Sequence, residues 1–187
     1  MLIDVTLKIT PAMAAAAQGN EKKALAGHLG THFDIMDKEF PLEYTEREAV
    51  VFDVSHVQGR GIEISDMDMD AVGPDMFVAF YTGFIEREDY DSRPYLAGHP
   101  QLSHELIDAL LDRKISIIGV DCAGIRRGRE HTPADQYCAD RGVFVVENLC
   151  NLQAVPGHCI MHTYPMNYAG VSGLPCRVVA ETGNGEV

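Results

Sequence analysis

The sequence predicts a layered α/β domain built from more than one sheet, and three observations carry that reading. Short apolar, β-branched runs recur at 48–54, 76–81, 115–121 and 143–146. Two stretches between them have helical spacing and helix-start residues. Strands and helices do not alternate strictly, and the first half is mainly β, which excludes a simple βαβ repeat. At 187 residues the chain suits one domain, 1–187, with a large core.

Taken in order, Leu2 to Ile9 has imperfect alternation and high β-propensity, and reads as a strand closed by Thr10-Pro11. The run Ala14–Ala17 is a short helix or a loop, ended by Gly19-Asn20. The segment His28–Asp34 contains Gly30 and Thr31 and favours a strand or strand end. Strands follow at Glu48–Val54 and Met76–Tyr81, the latter closed by Thr82-Gly83. Glu86 to Pro100, acidic and rich in Gly and Pro, reads as one long loop of the kind that serves as a lid or interface element. Ser103 is a good N-cap for a helix through Arg113, with Leu106, Ile107, Leu110 and Leu111 as its apolar face. Ile115–Asp121 is a buried strand running into Cys122-Ala123-Gly124. Thr132-Pro133 starts a second helix, and Val143–Val146 is a strand with Glu147 at its end. The last strand is Cys176–Ala180, and the polar tail 181–187 is expected to fray.

The formal charge of −13 repels phosphate over most of the surface and argues against a nucleic-acid partner. No stretch approaches the roughly twenty apolar residues of a membrane span. The five cysteines are scattered, odd in number and without CxxC spacing, which fits reduced thiols and a cytoplasmic location.

The chemistry concentrates in Gly27-His28-Leu29-Gly30-Thr31-His32-Phe33-Asp34. Two imidazoles and a carboxylate within seven residues offer nitrogen and oxygen ligands to one divalent ion. Completion is expected from far along the chain. Glu147 follows four apolar residues, and a buried carboxylate needs a partner. His131 and Asp135 lie one helical turn apart, so either could turn toward the same ion or a second one. His99, His104, His158 and His162 read as ordinary core or surface histidines, and Asp66–Asp70 as a solvated edge rather than a calcium loop.

With these residues in hand, the chain resembles the cyclase-like metal-dependent hydrolases, the family of kynurenine formamidase and isatin hydrolase. Its hallmark reads His-x-Gly-Thr-His-x-Asp-x-Pro-x-His, and His28 through Asp34 match the first seven positions. Further landmarks follow in order: Ile3-Asp4-Val5-Thr6, Tyr81-Thr82-Gly83, Ile118-Gly119-Val120-Asp121, Glu147-Asn148-Leu149 and Leu174-Pro175-Cys176-Arg177-Val178. The resemblance implies a swivelling β/β/α domain with helices on one side of mixed sheets, assembled as a homo-oligomer and acting on a small molecule. It implies His28, His32, Asp34 and Glu147 as metal ligands, with Asp34 able to bridge two ions.

The sequence departs from the hallmark at two positions and from the family's ligand set at a third. Met36 stands for the proline, and Lys38 for the histidine that serves as base in the family's formamidases. The histidine ligand expected twelve residues before the late glutamate is Asp135, with His131 a turn upstream. A carboxylate there favours harder ions, so Mn²⁺ or Mg²⁺ gains on Zn²⁺; the expected cofactor is Zn or Mn, one or two ions. Lys38 is a base only if neighbouring cations depress its pKa, and otherwise an electrostatic group for an anionic substrate or a solvent-facing side chain; the electrostatic role is preferred. The expected reaction is hydrolysis of an amide, cyclic amide or formamide by metal-activated water. Lys38 or His131 handles protons or charge, and Arg126 and Arg127 receive a substrate carboxylate. Efficient kynurenine formamidase activity is not expected. The competing reading is a metal or small-molecule binding protein on the same scaffold.

Overall fold

The computed structural model describes residues 1–183. Eight strands form one sheet, not the several expected, in the order β1-β8-β2-β6-β5-β4-β3-β7, and β7 also pairs with β8. That last pairing closes seven strands into a barrel. Strands β3 (Glu46–Asp53), β4 (Phe77–Tyr81), β5 (Ile117–Val120) and β6 (Phe144–Glu147) run parallel. The contacts β6–β2 (His32–Asp34), β2–β8 (Gly173–Glu181), β8–β7 (His158–Pro165) and β7–β3 are antiparallel. Strand β1 (Leu2–Asp4) lies antiparallel to the end of β8.

Alternation along each strand sorts the side chains onto two faces. Phe33, Ala49, Phe77, Ile117, Phe144, Val146, Met161 and Val178 fill the barrel. Val50, Val78, Phe80, Ile118, Val120 and Val145 face outward into a second core. There they are covered by α4 (His104–Asp112), through Leu106, Ile107, Leu110 and Leu111, and by Ala134 and Cys138 of α5 (His131–Ala139). The helices that build the core thus sit on one side, as expected.

Several boundaries differ from the sequence reading, each for a local reason. The first strand ends at Asp4 rather than Ile9, because past Val5 the chain turns to other partners: Thr6 bridges to Leu149, and Leu7 N–H donates to the Thr31 hydroxyl (2.8 Å). Thr10 caps a helix, α1 (Pro11–Ala17), so the alanine run is helical; α2 (Glu21–Ala24) follows. The stretch 86–100 is not one loop. Ser92 caps α3 (Arg93–Gly98), which carries the buried Tyr95. Helix α5 begins at His131, because a 3-10 turn over Gly128–Glu130 leads straight into it and Thr132 is already helical. Strand β7 has no counterpart in the sequence reading, and β8 begins at Gly173. Of the expected frayed tail, Glu181 closes β8 and Thr182 N–H donates to the Met1 carbonyl (2.9 Å). Residues 184–187 lie outside the described ones. Among the described residues, no helix is long and apolar enough to cross a membrane.

Asp121 at the end of β5 clamps the turn after β4. Its carboxylate accepts from the Thr82 and Gly83 backbone N–H groups (2.9 and 2.6 Å) and from the Thr82 hydroxyl (2.5 Å). Burial raises its pKa to about 6, against those hydrogen bonds, which lower it. A raised carboxyl pKa gives stability that is full below the unfolded value and lost as pH climbs through the folded one. The Asp121→Asn variant is therefore expected to lose less stability than the wild type between pH 4 and 6, by at most about 3 kcal/mol. Urea unfolding of both proteins across that range checks it; parallel curves would refute the assignment.

Candidate metal centre

Register places the cluster. In β2, Phe33 points into the barrel, so His32 and Asp34 point out beneath α5. His32 pairs directly with Glu147 across the β2–β6 ladder, and Glu147 shares the outward face with Val145. Helix α5 lies over that face and brings down Asp135, 2% exposed, with His131 one turn earlier. His28, just before β2, completes the group. Five residues expected as ligands and one expected as a proton carrier thus meet in one place.

The ligand atoms fall into two groups that share Asp34. One is His28, His32 and Asp34; the other is Asp34, His131, Asp135 and Glu147. His28 Nδ1 lies 3.0 Å from Asp34 Oδ1 and 3.1 Å from His32 Nε2. His32 Nε2 is 3.8 Å from Asp34 Oδ1 and 3.7 Å from Glu147 Oε2. His131 Nε2 is 3.5 Å from Asp135 Oδ2 and 3.6 Å from Glu147 Oε1.

The imidazoles are oriented from behind. His32 Nδ1 donates to the Gly30 carbonyl (2.8 Å) and His131 Nδ1 to the Arg126 carbonyl (3.2 Å). Each Nε2 lone pair is left facing the carboxylates, the arrangement a metal-ligating histidine needs. His28 Nε2 rests on the Ser172 hydroxyl (2.9 Å).

Three acids in one buried space oppose one another. Burial, reinforced by Asp34 and Asp135, pushes Glu147 well above the usual carboxylate range, and burial plus Asp34 does the same to Asp135. Burial would raise Asp34 too, but the hydrogen bond with His28 and the nearby imidazoles hold it low. Burial lowers His32, against the pull of Asp34. Asp34 Oδ2, Asp135 Oδ1 and Glu147 Oε1 are buried without a hydrogen-bond partner among the described residues. Orphaned carboxylate oxygens are costly, and a divalent cation in their midst supplies what they lack. The residues, three carboxylates and three imidazoles, fit such a divalent ion.

The other expected site residues lie elsewhere. Lys38 is tied by its ammonium to Asp140 (2.8 Å) and Asp37 (3.0 Å), at the opposite end of α5 from His131. Hydrogen bonds to both carboxylates raise its pKa, so it stays protonated. Arg126 spends its guanidinium on Glu130 and on the Leu102 carbonyl (2.7 Å). Arg127 donates to the Ala97 carbonyl (3.0 Å) and has no carboxylate partner among the described residues.

Two supports were not singled out from the sequence. Gly124 sits at φ +115°, and a Cβ there would lie 2.6 Å from His131 Nδ1 and 2.9 Å from Glu147 Oε1. Its position just past a buried strand was the available signal. Asn148, at φ 58°, donates through Nδ2 to the same Gly30 carbonyl that holds His32 (3.0 Å). Its Oδ1 accepts from the Tyr95 hydroxyl (2.7 Å), so α3 reaches the centre through two buried side chains.

The family model described as "Putative cyclase" matches residues 3–126, about two thirds of the chain. The chain belongs to the cyclase family. No curated protein sequence matches it. Among solved structures, this cyclase-family chain is similar to a potential metal-dependent hydrolase with cyclase activity, at 24% identity and TM-score 0.76, covering 96% of each chain. It is similar to a predicted metal-dependent hydrolase from Bacillus stearothermophilus at 24% identity and TM-score 0.72, over 96% of this chain and 97% of that one. Isatin hydrolase A from Labrenzia aggregata, bound to benzyl benzoate, gives 20% identity and TM-score 0.73, over 96% and 93%. At these identities the likeness is one of fold.

Removing a support should loosen the ion without unfolding the barrel. Asn148→Ala is expected to weaken divalent-ion binding about 10- to 100-fold, the usual cost of losing an outer-shell partner, and Gly124→Ala to weaken it as well, because its Cβ would press on His131 and Glu147. Calorimetric titration of the metal-free protein measures this, and wild-type affinity in both variants would refute the assignment.

Proposed function

We propose that this cyclase-family chain is a metal-dependent hydrolase that opens an amide, with a cyclic amide as the preferred substrate class and a formamide as the second. The observation that carries the reading is the trio of buried, unpartnered oxygens on Asp34, Asp135 and Glu147, faced by three imidazole nitrogens. A divalent ion held by these residues supplies Lewis acidity, which acidifies water and polarises a carbonyl. The family match and the fold shared with isatin hydrolases support the choice of hydrolysis.

The chain's own residues have separable roles in this reading. His28, His32 and Asp34 form one ligand group, and His131, Asp135 and Glu147 join Asp34 in the other. His131 is the most exposed imidazole of the cluster, 33% against 21% for His28 and 3% for His32. With its Nδ1 on the Arg126 carbonyl and its Nε2 among the ligand atoms, it has no ring nitrogen left to carry a proton, and it is read as a ligand on the solvent-facing side of the centre. Lys38, protonated and paired with two carboxylates, does not act as a base. Efficient turnover of N-formylkynurenine is accordingly not expected.

One observation favours a second reading, a metal or small-molecule binder without turnover: the motif position of the family's base holds a protonated lysine, paired with Asp37 and Asp140. Turnover separates the two. Metal-loaded protein is expected to hydrolyse isatin or a related lactam, with activity lost on chelation and restored by Mn²⁺ or Zn²⁺. Bound metal without turnover on lactams, lactones and formamides would support the binder. In the hydrolase reading, Glu147→Gln loses more than about 100-fold in turnover, beyond the outer-shell range, whereas Lys38→Ala stays within about 10-fold. A large loss in Lys38→Ala would restore that residue to the mechanism.

A further inference from the structure

A second concave site lies apart from the metal centre. A cavity of about 490 Å³ is lined by twelve residues from the 57–61 turn, the segment after β4, the end of α3 and the segment after it, and, through Arg127, the segment between β5 and α5. They include Arg60, Arg87, Arg127 and His99, and no aspartate or glutamate. None belongs to either metal-ligand group. On a chain with a formal charge of −13, an acid-free cavity holding three guanidinium groups is a local reversal of sign.

The charges are unequally committed. Arg60 is neutralised, with paired hydrogen bonds to Asp66 (both 2.6 Å) and a third to the Gly61 carbonyl (2.8 Å). Arg87 donates to the Thr82 carbonyl (3.0 Å) and Arg127 to the Ala97 carbonyl (3.0 Å). Neither has a carboxylate within ion-pair distance among the described residues. Each guanidinium has five N–H donors in a planar fork, so most of each fork is unspent. Gln101 accepts the Arg127 backbone N–H at Oε1 (2.9 Å), which leaves its amide donors unspent as well. His99 adds no charge, because burial lowers its pKa to about 4. Two positive charges in a concavity, backed by carbonyls that fix both arginines, match a planar or tetrahedral oxyanion.

We propose that Arg87 and Arg127 form an anion-binding site in this cavity, which takes a small oxyanion of the carboxylate or phosphate class. The site does not depend on the hydrolase reading, since it is tested by binding alone.

The test is calorimetric titration of the full-length, metal-loaded protein with sodium phosphate and with sodium benzoate. Both are run at constant ionic strength against sodium chloride as the reference anion. Saturable binding of phosphate, benzoate or both is expected, and the pattern assigns the class. Arg87→Gln and Arg127→Gln should each weaken binding at least tenfold. Arg127→Lys, which keeps the charge and loses the fork, should fall between. Arg129→Gln, outside the cavity, should bind as the wild type does. Circular dichroism and metal content confirm that each variant is folded and loaded. Heats no larger than those of chloride, or unchanged affinity in both glutamine variants, would overturn the proposal.

Discussion

The mutual repulsion of three buried carboxylates is the constraint from which the rest of this structure is best understood. Asp34, Asp135 and Glu147 converge from β2, α5 and β6, and each retains an oxygen with no hydrogen-bond partner. An ordinary core would have replaced at least two of them with apolar groups, because a half-satisfied polar network is worse than none. Their surroundings are instead built to keep them together. His32 and His131 are turned toward them by backbone carbonyls, Gly124 leaves the space a side chain would fill, and the packing of α5 on β6 sets the distance.

Much of this was legible from single residues. The run His28–Asp34 showed its ligands because they are close in sequence, and a glutamate after four apolar residues marked Glu147. Strand alternation then forces His32, Asp34 and Glu147 onto one face once β2 and β6 pair. What was not legible depends on pairings between distant segments. Strand β7 lies between Pro156-Gly157 and Met166 and carries two histidines and a cysteine, so local propensity hides it; its partners β3 and β8 impose it. The helix at 93–98 was concealed in an acidic stretch interrupted by Pro94, Gly98 and Pro100, although Ser92 and Pro94 were its start signals. Asn148 gave no sign of its role, since a left-handed asparagine that bonds a carbonyl more than a hundred positions away has no local signature.

Lys38 shows the limit of carrying a role by position. Motif spacing aligns it with the histidine that the resemblance implies as a base, yet its ammonium lies at the end of α5 opposite His131. Asp37 and Asp140 then fix the ammonium and raise its affinity for its proton. A residue's register in a motif sets where its Cα lies; the neighbours set what its side chain can do.

The closure of the barrel also bears on how the centre comes into being. Strand β8 pairs with β1 and β2 along one edge and with β7 along the other, so three of the eight strands wait for it. The segment leading into it supplies Ser172 to His28, and Gly173 N–H to the Ala26 carbonyl. Contacts this distant along the chain close slowly, since the entropy of the large loop is lost before any pairing offsets it. The ligand-bearing strand β2 therefore has no fixed partner on one side until the final strand has docked. The cation cage is complete only when the two ends of the chain have met, so its integrity is tied to the docking of the last strand.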